Sequence, residues 1–340
     1  GHYSPETYAK MRSRRNEANE AVNMPRKNGT TTSKKTIANV AADLVARARK
    51  VSAEVKEGRA AKIAKEATAL PAYEMRLVAF LDILGFKELV SESTDDPKVL
   101  KRLLHVIDAM RSEGADLGEE TDKMVTQFSD SIVVSYRVKS RSSAYYLLLD
   151  LLLLVIEATQ RGVLLRGGIS VARLIHTNEH LLGPGMIFAY NAESKIAKYP
   201  RVIVEPHSME FLLHAAAENP ADHHDAGTET KYVRDLLTKD DDGNFYLDYI
   251  SFDGVVVKGG AEPDDYQTYF ESIGQLVRDG LTHHDSTVKD KYVWLQKKYA
   301  AQLKVFKSSP NPRWKKMNPA AFAFYASLSD HAELAKGAAK

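Results

Sequence analysis

No cysteine occurs among the 340 residues, which excludes disulfides, thiolate nucleophiles and thiolate metal ligands and fits a reducing, cytoplasmic setting. No apolar run reaches the ~20 residues needed to cross a bilayer. The most apolar one, YYLLLDLLLLVIEA from Tyr145, is interrupted by Asp150 and reads as a buried helix. Neither a secretory signal nor an internal repeat is evident, so a cytoplasmic protein without a membrane partner is the expectation. Tryptophan is scarce: Trp294 and Trp314 read as packing for carboxyl-terminal helices, not as a ligand box. What is present is ordinary for a globular chain, with 44% hydrophobic and 27% charged residues. The length suits one large domain with extensions, or two domains.

The near-neutral balance hides an asymmetry. Residues 1–70 carry 15 Lys and Arg against 7 Asp and Glu, the remainder 32 against 38. Residues 1–35, with the run KNGTTTSKK, read as a flexible basic arm that is solvated and not expected to bind nucleic acid, because aromatics are nearly absent from it. Residues 36–72 read as a helical extension, with Ile37, Val40, Leu44 and Val51 at helical spacing and Pro71 at its end. A folded domain is expected over 73–258, and carboxyl-terminal helices over 259–340.

RLVAFLDILGF, Arg76 to Phe86, organises that domain. Its first half is apolar on both alternating faces, as in a central strand covered on both sides. Asp82 breaks the pattern, and Gly85 then allows a tight turn. A helix follows Asp96-Pro97 with an apolar face of Leu100, Leu103, Leu104, Ile107 and Met110, and 114–121 reads as loop. MVTQFSDSIVVSY, Met124 to Tyr136, reads as a hairpin turning at Ser129-Asp130. After the buried helix, VLLRGGISVARLIHT reads as a strand kinked or bulged at Gly167-Gly168. A helix, a strand at Arg201–Glu205, the helix HSMEFLLHAAAE, a polar loop ADHHDAGTE, the strand NFYLDYISF and further helices complete the chain. Strand, helix, hairpin, helix, strand, helix, strand implies an α+β fold, a mixed sheet with helices packed on it.

Asp82 taken alone reads as a cap for the strand end or the next helix, and Asp130 alone as a turn residue. Together they allow a sharper reading. A strand end and a neighbouring hairpin tip can bring two carboxylates to one point, where they repel unless cations lie between them. Hard oxygen ligands of this kind suit Mg or Mn, and two such ions can activate an attacking oxygen and neutralise a leaving phosphate. Arg166 has two equal readings, a phosphate contact or a structural ion pair, and Arg201 is similarly open. His223-His224 and His283-His284 lie in polar stretches and read as solvated histidines.

The motifs AFLDILGF, FSDSIVVS, LLRGGIS and AYNAESKIA, in that order over roughly Arg76 to Glu205, resemble the catalytic domain of class III nucleotide cyclases. The resemblance implies that domain's ferredoxin-like mixed sheet, here with flanking helical extensions. It further implies a homodimer with composite active sites and two divalent metal ions held by Asp82, Asp130 and the Ile83 carbonyl. The backbone amides of Leu84, Gly85 and Phe86 would cradle the triphosphate. Asn191 and Lys195, four apart on one helix face, would reach the ribose and the transition-state phosphate from the other subunit. Lys195 stands where the family has Arg, so the bidentate fork is lost.

Two further departures concern the base. Thr126 and Pro184 occupy the positions at which adenylate cyclases of this class carry Lys and Asp, and they do not make the guanylate pairing either. These departures, with the segment GPGMIFAYNAESKIAKYPRVIVEP, resemble the bacterial Pycsar pyrimidine cyclases, which implies conversion of UTP to cyclic UMP as a signal in anti-phage defence, acting on a separate effector. Alternatives are a cytidylate cyclase, a purine cyclase, and a catalytically silent nucleotide-binding module; the GGDEF signature of diguanylate cyclases is absent.

Overall fold

The computed structural model describes residues 50, 71–112, 122–308 and 319–338. The basic arm, nearly all of the helical extension, the loop at 114–121 and Trp314 lie outside the described residues. Tyr73–Lys340 belongs to one compact unit.

Its strands are β1 (Glu74–Ile83), β2 (Met124–Phe128), β3 (Ser131–Arg137), β4 (Leu165–His176), β5 (Leu181–Leu182), β6 (Val202–Val204), β7 (Leu237–Lys239) and β8 (Phe245–Leu247). The helices that matter for the site are α1 (Phe86–Ser93), α2 (Pro97–Ser112), α3 (Ser143–Gln160) and α4 (Pro184–Asn191). The last continues into a π-helical stretch, Ala192–Ala197. Beyond them come α5 (Ser208–Glu218), α6 (Ala226–Asp235), α7 (Pro263–Leu281), α8 (Ser286–Ser308), α9 (Pro319–Ser327) and α10 (Ala332–Ala338).

The sheet runs β2-β3-β1-β4-β6-β8-β7, with β5 paired to β4. Its first four strands are antiparallel and carry the connections β1-αα-β2-β3-α-β4. This is the split ferredoxin-like arrangement within an α+β fold, extended by β6, β8 and β7.

β1 is central and buried on both faces. Leu77, Ala79, Leu81 and Ile83 join the large core, together with Leu147, Leu148, Leu151 and Val155 of α3. Val78 and Phe80 enter a smaller core with Val133, Leu174 and Ala189. Helix α3 is long and apolar enough to cross a membrane, yet its buried apolar residues belong to the large core. Asp150, the residue that interrupts its apolar run, accepts hydrogen bonds from Lys123 Nζ at 2.8 Å and the Tyr136 hydroxyl at 2.7 Å.

Several expectations are corrected. Helix α2 buries Val99, Leu103, Val106 and Met110, while Leu100 and Leu104 face outward, so its apolar stripe is rotated from the one expected. A further helix, α1, precedes it, the stretch from Ala226 to Asp235 is helical, and β7 adds a strand. Arg201 is a structural ion-pair residue. It is buried, donates Nε to the Ala197 carbonyl at 3.0 Å, and pairs with Asp240 and Asp242. That pairing holds the Asp242 carboxyl down at about 2. Trp294 and Lys298 of α8 also bond Asp240, fastening α8 to the sheet's extension.

β4 is not bulged at its glycines. Gly167 and Gly168 pair in register with Leu81 and Phe80 on one side and with Val202 and Ile203 on the other. Gly168 serves the close approach of a helix. A Cβ on Gly168 would strike the Ala189 carbonyl and lie 2.6 Å from the Ala192 Cβ, so α4 and its π-helical continuation can sit directly on the sheet only over glycine. Gly168→Ala is expected to lower stability by about 1–3 kcal/mol in denaturant unfolding. A loss below a few tenths of a kcal/mol would show that the helix can lift away freely.

Candidate active site

Cross-strand neighbours in a sheet point to the same face. Asp82 at the end of β1 is flanked in register by Ser131 on β3 and Arg166 on β4. It therefore shares its face with Val78 and Phe80, the face covered by α4 and the π-helical stretch. Ser131 Oγ donates to Asp82 Oδ1 at 2.9 Å. Asp130, in the β2–β3 turn, accepts the Ile83 amide through its backbone carbonyl at 3.1 Å. That bond ties the hairpin tip to the end of β1 and brings the two acids together. Burial raises the Asp82 pKa first; the Ser131 hydrogen bond opposes it, the Asp130 charge adds to it, and the Arg166 charge lowers it.

A third acid lies beside them. Glu193, 2% exposed, pairs with Arg166, whose Nε donates to Glu193 Oε1 at 2.5 Å. Burial raises the Glu193 pKa, Arg166 lowers it, and the Asp82 charge raises it again. The ion-pair reading of Arg166 is thus realised, one strand from Asp82. Glu193 was legible in the sequence only through Ala189 and Ala192, which share its helix face.

Residues two positions either side of a buried helical residue point to another face. Accordingly Lys195 is exposed and Asn191 half-buried, whereas Glu193 is buried. Asn191 closes α4 and Lys195 lies in the π-helical stretch, so their spacing is not that of a plain α-helix. Pro184 is the first residue of α4 and offers no hydrogen-bonding side chain.

At the phosphate-cradle positions, the Leu84 amide is donated to the Leu164 carbonyl at 2.9 Å and is not available to an anion. Gly85, at φ 74°, caps α1, and Phe86 begins it. Amides at a helix start lack intrahelical partners, so those of Gly85 and Phe86 suit an anion. Thr126 Oγ1 lies 2.9 Å from His176 Nε2. His224 is not merely solvated: its Nδ1 lies 2.7 Å from Oε2 of the buried Glu229.

The residues present fit divalent cations in one respect. Asp82 and Asp130 are adjacent hard oxygen donors, one of them burdened by burial and by its neighbour's charge, and a cation relieves both burdens. Among the described residues no three His, Asp or Glu side chains gather closely enough to hold an ion by themselves. A pair of carboxylates suits ions held in part by substrate phosphates.

No family model matches the chain, and no curated protein matches it. Among solved structures it is similar to the adenylyl cyclase CyaB from P. aeruginosa, at 14% identity over 43% of this chain and 83% of that one, with a TM-score of 0.35. It is also similar to a bacterial light-regulated adenylyl cyclase, at 13% identity over 60% of this chain and 71% of that one, with a TM-score of 0.35.

Asp82 provides a pH test. A carboxyl raised above its ordinary 3.8 binds its proton more tightly folded than unfolded, so its contribution to stability falls as pH rises through that window. Asp82→Asn keeps an acceptor for Ser131 and removes the charge. Without added metal, it is expected to melt above the parent at pH 7, the advantage vanishing below pH 4. A lower Tm at pH 7 would mean the ionised carboxylate stabilises the fold.

Proposed function

We propose that the chain is a pyrimidine nucleotide cyclase that converts UTP to 3′,5′-cyclic UMP and pyrophosphate. The observation carrying this reading is the meeting of Asp82 and Asp130 at the end of β1, one turn from the amides that open α1. Two acids beside an anion-accepting helix start suit a polyphosphate with its cations.

Two divalent ions, Mg or Mn, held by Asp82, Asp130 and the Ile83 carbonyl, would neutralise phosphate charge and ease ionisation of the ribose 3′-hydroxyl. The Gly85 and Phe86 amides hold phosphate oxygens. Arg166, anchored by Glu193, keeps positive charge beside the acids. The 3′-oxygen then forms a bond to the α-phosphorus, the bond from that phosphorus to the oxygen of the departing pyrophosphate breaks, and the hydroxyl proton passes to solvent. Because the attack is intramolecular, alignment supplies most of the acceleration.

Asn191 and Lys195 act in this reading on a second copy's nucleotide, which accords with the exposure of Lys195. Ile187, Phe188 and Tyr190, exposed on α4, and Phe128, exposed on β2, supply apolar area for such a homodimer. Thr126 and Pro184 leave the base without the adenine-reading pair, which favours a pyrimidine. The product would act as a second messenger in anti-phage defence through a separate effector.

The test is incubation of the purified protein with Mn and each of ATP, GTP, CTP and UTP, with products identified by mass spectrometry. Cyclic UMP should dominate, and Asp130→Ala should abolish it, a loss of at least about a thousandfold. Cyclic AMP as the main product would overturn the base assignment. Full activity in Asp130→Ala would overturn the site.

A further inference from the structure

Four polar side chains form a hydrogen-bonded line on the sheet face that also carries the acids, and the direction of that line can be read from its first member. Arg76 is a donor at every nitrogen. It is held in place by Glu74 at 3.1 Å from Nη1 and by the Asp122 carbonyl at 2.6 Å from Nη2, and its Nε donates to Ser135 Oγ at 2.8 Å. Ser135 is fully buried, so its own proton needs an acceptor. The partner described for it is His176 Nδ1, at 2.8 Å.

His176 Nδ1 is therefore the acceptor and bears no proton. A neutral imidazole then carries its hydrogen on Nε2 and donates it to Thr126 Oγ1. The ring is neutral at ordinary pH, because burial first and the Arg76 charge second hold its pKa down at about 4. The reverse arrangement, with the proton on Nδ1, would strand the Ser135 hydroxyl proton in a dry environment without a described acceptor, which is costly. Thr126, having accepted from His176, has its own proton left to give. It is half-buried, and its register partner Val133 stands two residues along β3 from Ser131, the neighbour of Asp82.

We propose that Arg76, Ser135 and His176 are positioning residues that fix the Thr126 hydroxyl as a hydrogen-bond donor, so that the site selects a nucleobase presenting a carbonyl oxygen over one presenting an amino group. Uracil and guanine carry a carbonyl where cytosine and adenine carry an amine. The relay thus favours UTP over CTP, and GTP over ATP, and leaves the choice between pyrimidine and purine to other contacts. This selection rests on the nucleotide-cyclase reading; the proton arrangement does not.

Two measurements keep them apart. Nitrogen-15 NMR of the histidine rings at neutral pH, with His176 assigned by loss of its signals in His176→Gln, should show a neutral ring protonated on Nε2. Protonation on Nδ1 would overturn the relay whatever the enzyme does.

The second is kcat/KM for all four triphosphates. UTP should exceed CTP by at least about tenfold, the worth of one directed hydrogen bond. Thr126→Val and His176→Phe should shrink that ratio towards one, whereas His176→Gln, which can still accept from Ser135 and donate to Thr126, should restore part of it. An equal loss on UTP and CTP in His176→Phe, the ratio unchanged, would reduce His176 to a structural role and overturn the selection. Turnover of none of the four would remove the selection together with the cyclase reading, with the relay decided by the NMR result.

Discussion

A carboxylate at the end of the central strand is the constraint around which this fold is arranged. Asp82 continues an alternation that buries Val78 and Phe80, and it cannot follow them into a dry core without losing its hydration. The sheet supplies partial compensation from both sides, a hydroxyl on β3 and a guanidinium on β4, and then adds a second acid from the hairpin tip. The result is a site that is tolerated by the fold rather than favoured by it, with Asp82 held above its ordinary pKa. Residual electrostatic cost of this kind marks places where a charged ligand completes the structure.

The second constraint is the approach of α4. Gly168 removes the side chain that would hold the helix off the sheet, and Gly185 on the helix does the same opposite Val78. This contact brings Glu193 down beside Arg166 and leaves the neighbouring Lys195 exposed. One packing decision therefore sets both the charge balance around the acids and which side chains of the helix stay exposed. The network around Arg201 does comparable work at the far side of the sheet, where α8 is fastened to the β6–β8 extension.

Much of this was legible in the residues because the signals were local. β1 reads as a doubly covered strand from its unbroken apolar run, and the hairpin from two β-rich segments meeting at Ser129-Asp130. What was not legible depended on neighbours distant in sequence. The rotation of α2, which hides Val99 and Val106 and exposes Leu100 and Leu104, is set by where the helix meets α3 and the sheet. The glycines of β4 suggest a bulge when read alone, and Gly168 a close helix approach once the helix is present. Glu193 and His176 carry little local signal for the same reason. Each sits on a buried face whose identity depends on its partner, Arg166 for one and Ser135 with Thr126 for the other. The alternation Gly168, Ser170, Ala172, Leu174, His176 along β4 was the available hint that His176 returns to the face of the acids.

The central claim is that Asp82 and Asp130 form a site completed by cations and a nucleotide together, and calorimetric titration of Mn into the protein tests it most directly. The titration is run with and without a UTP analogue whose α,β-bridging oxygen is replaced by carbon, so that no turnover intervenes. The account predicts weak binding of Mn alone, binding of two equivalents per chain when the analogue is present, and loss of that gain in Asp130→Asn. Manganese binding that is absent in both conditions, or that is unchanged by Asp130→Asn, would contradict it.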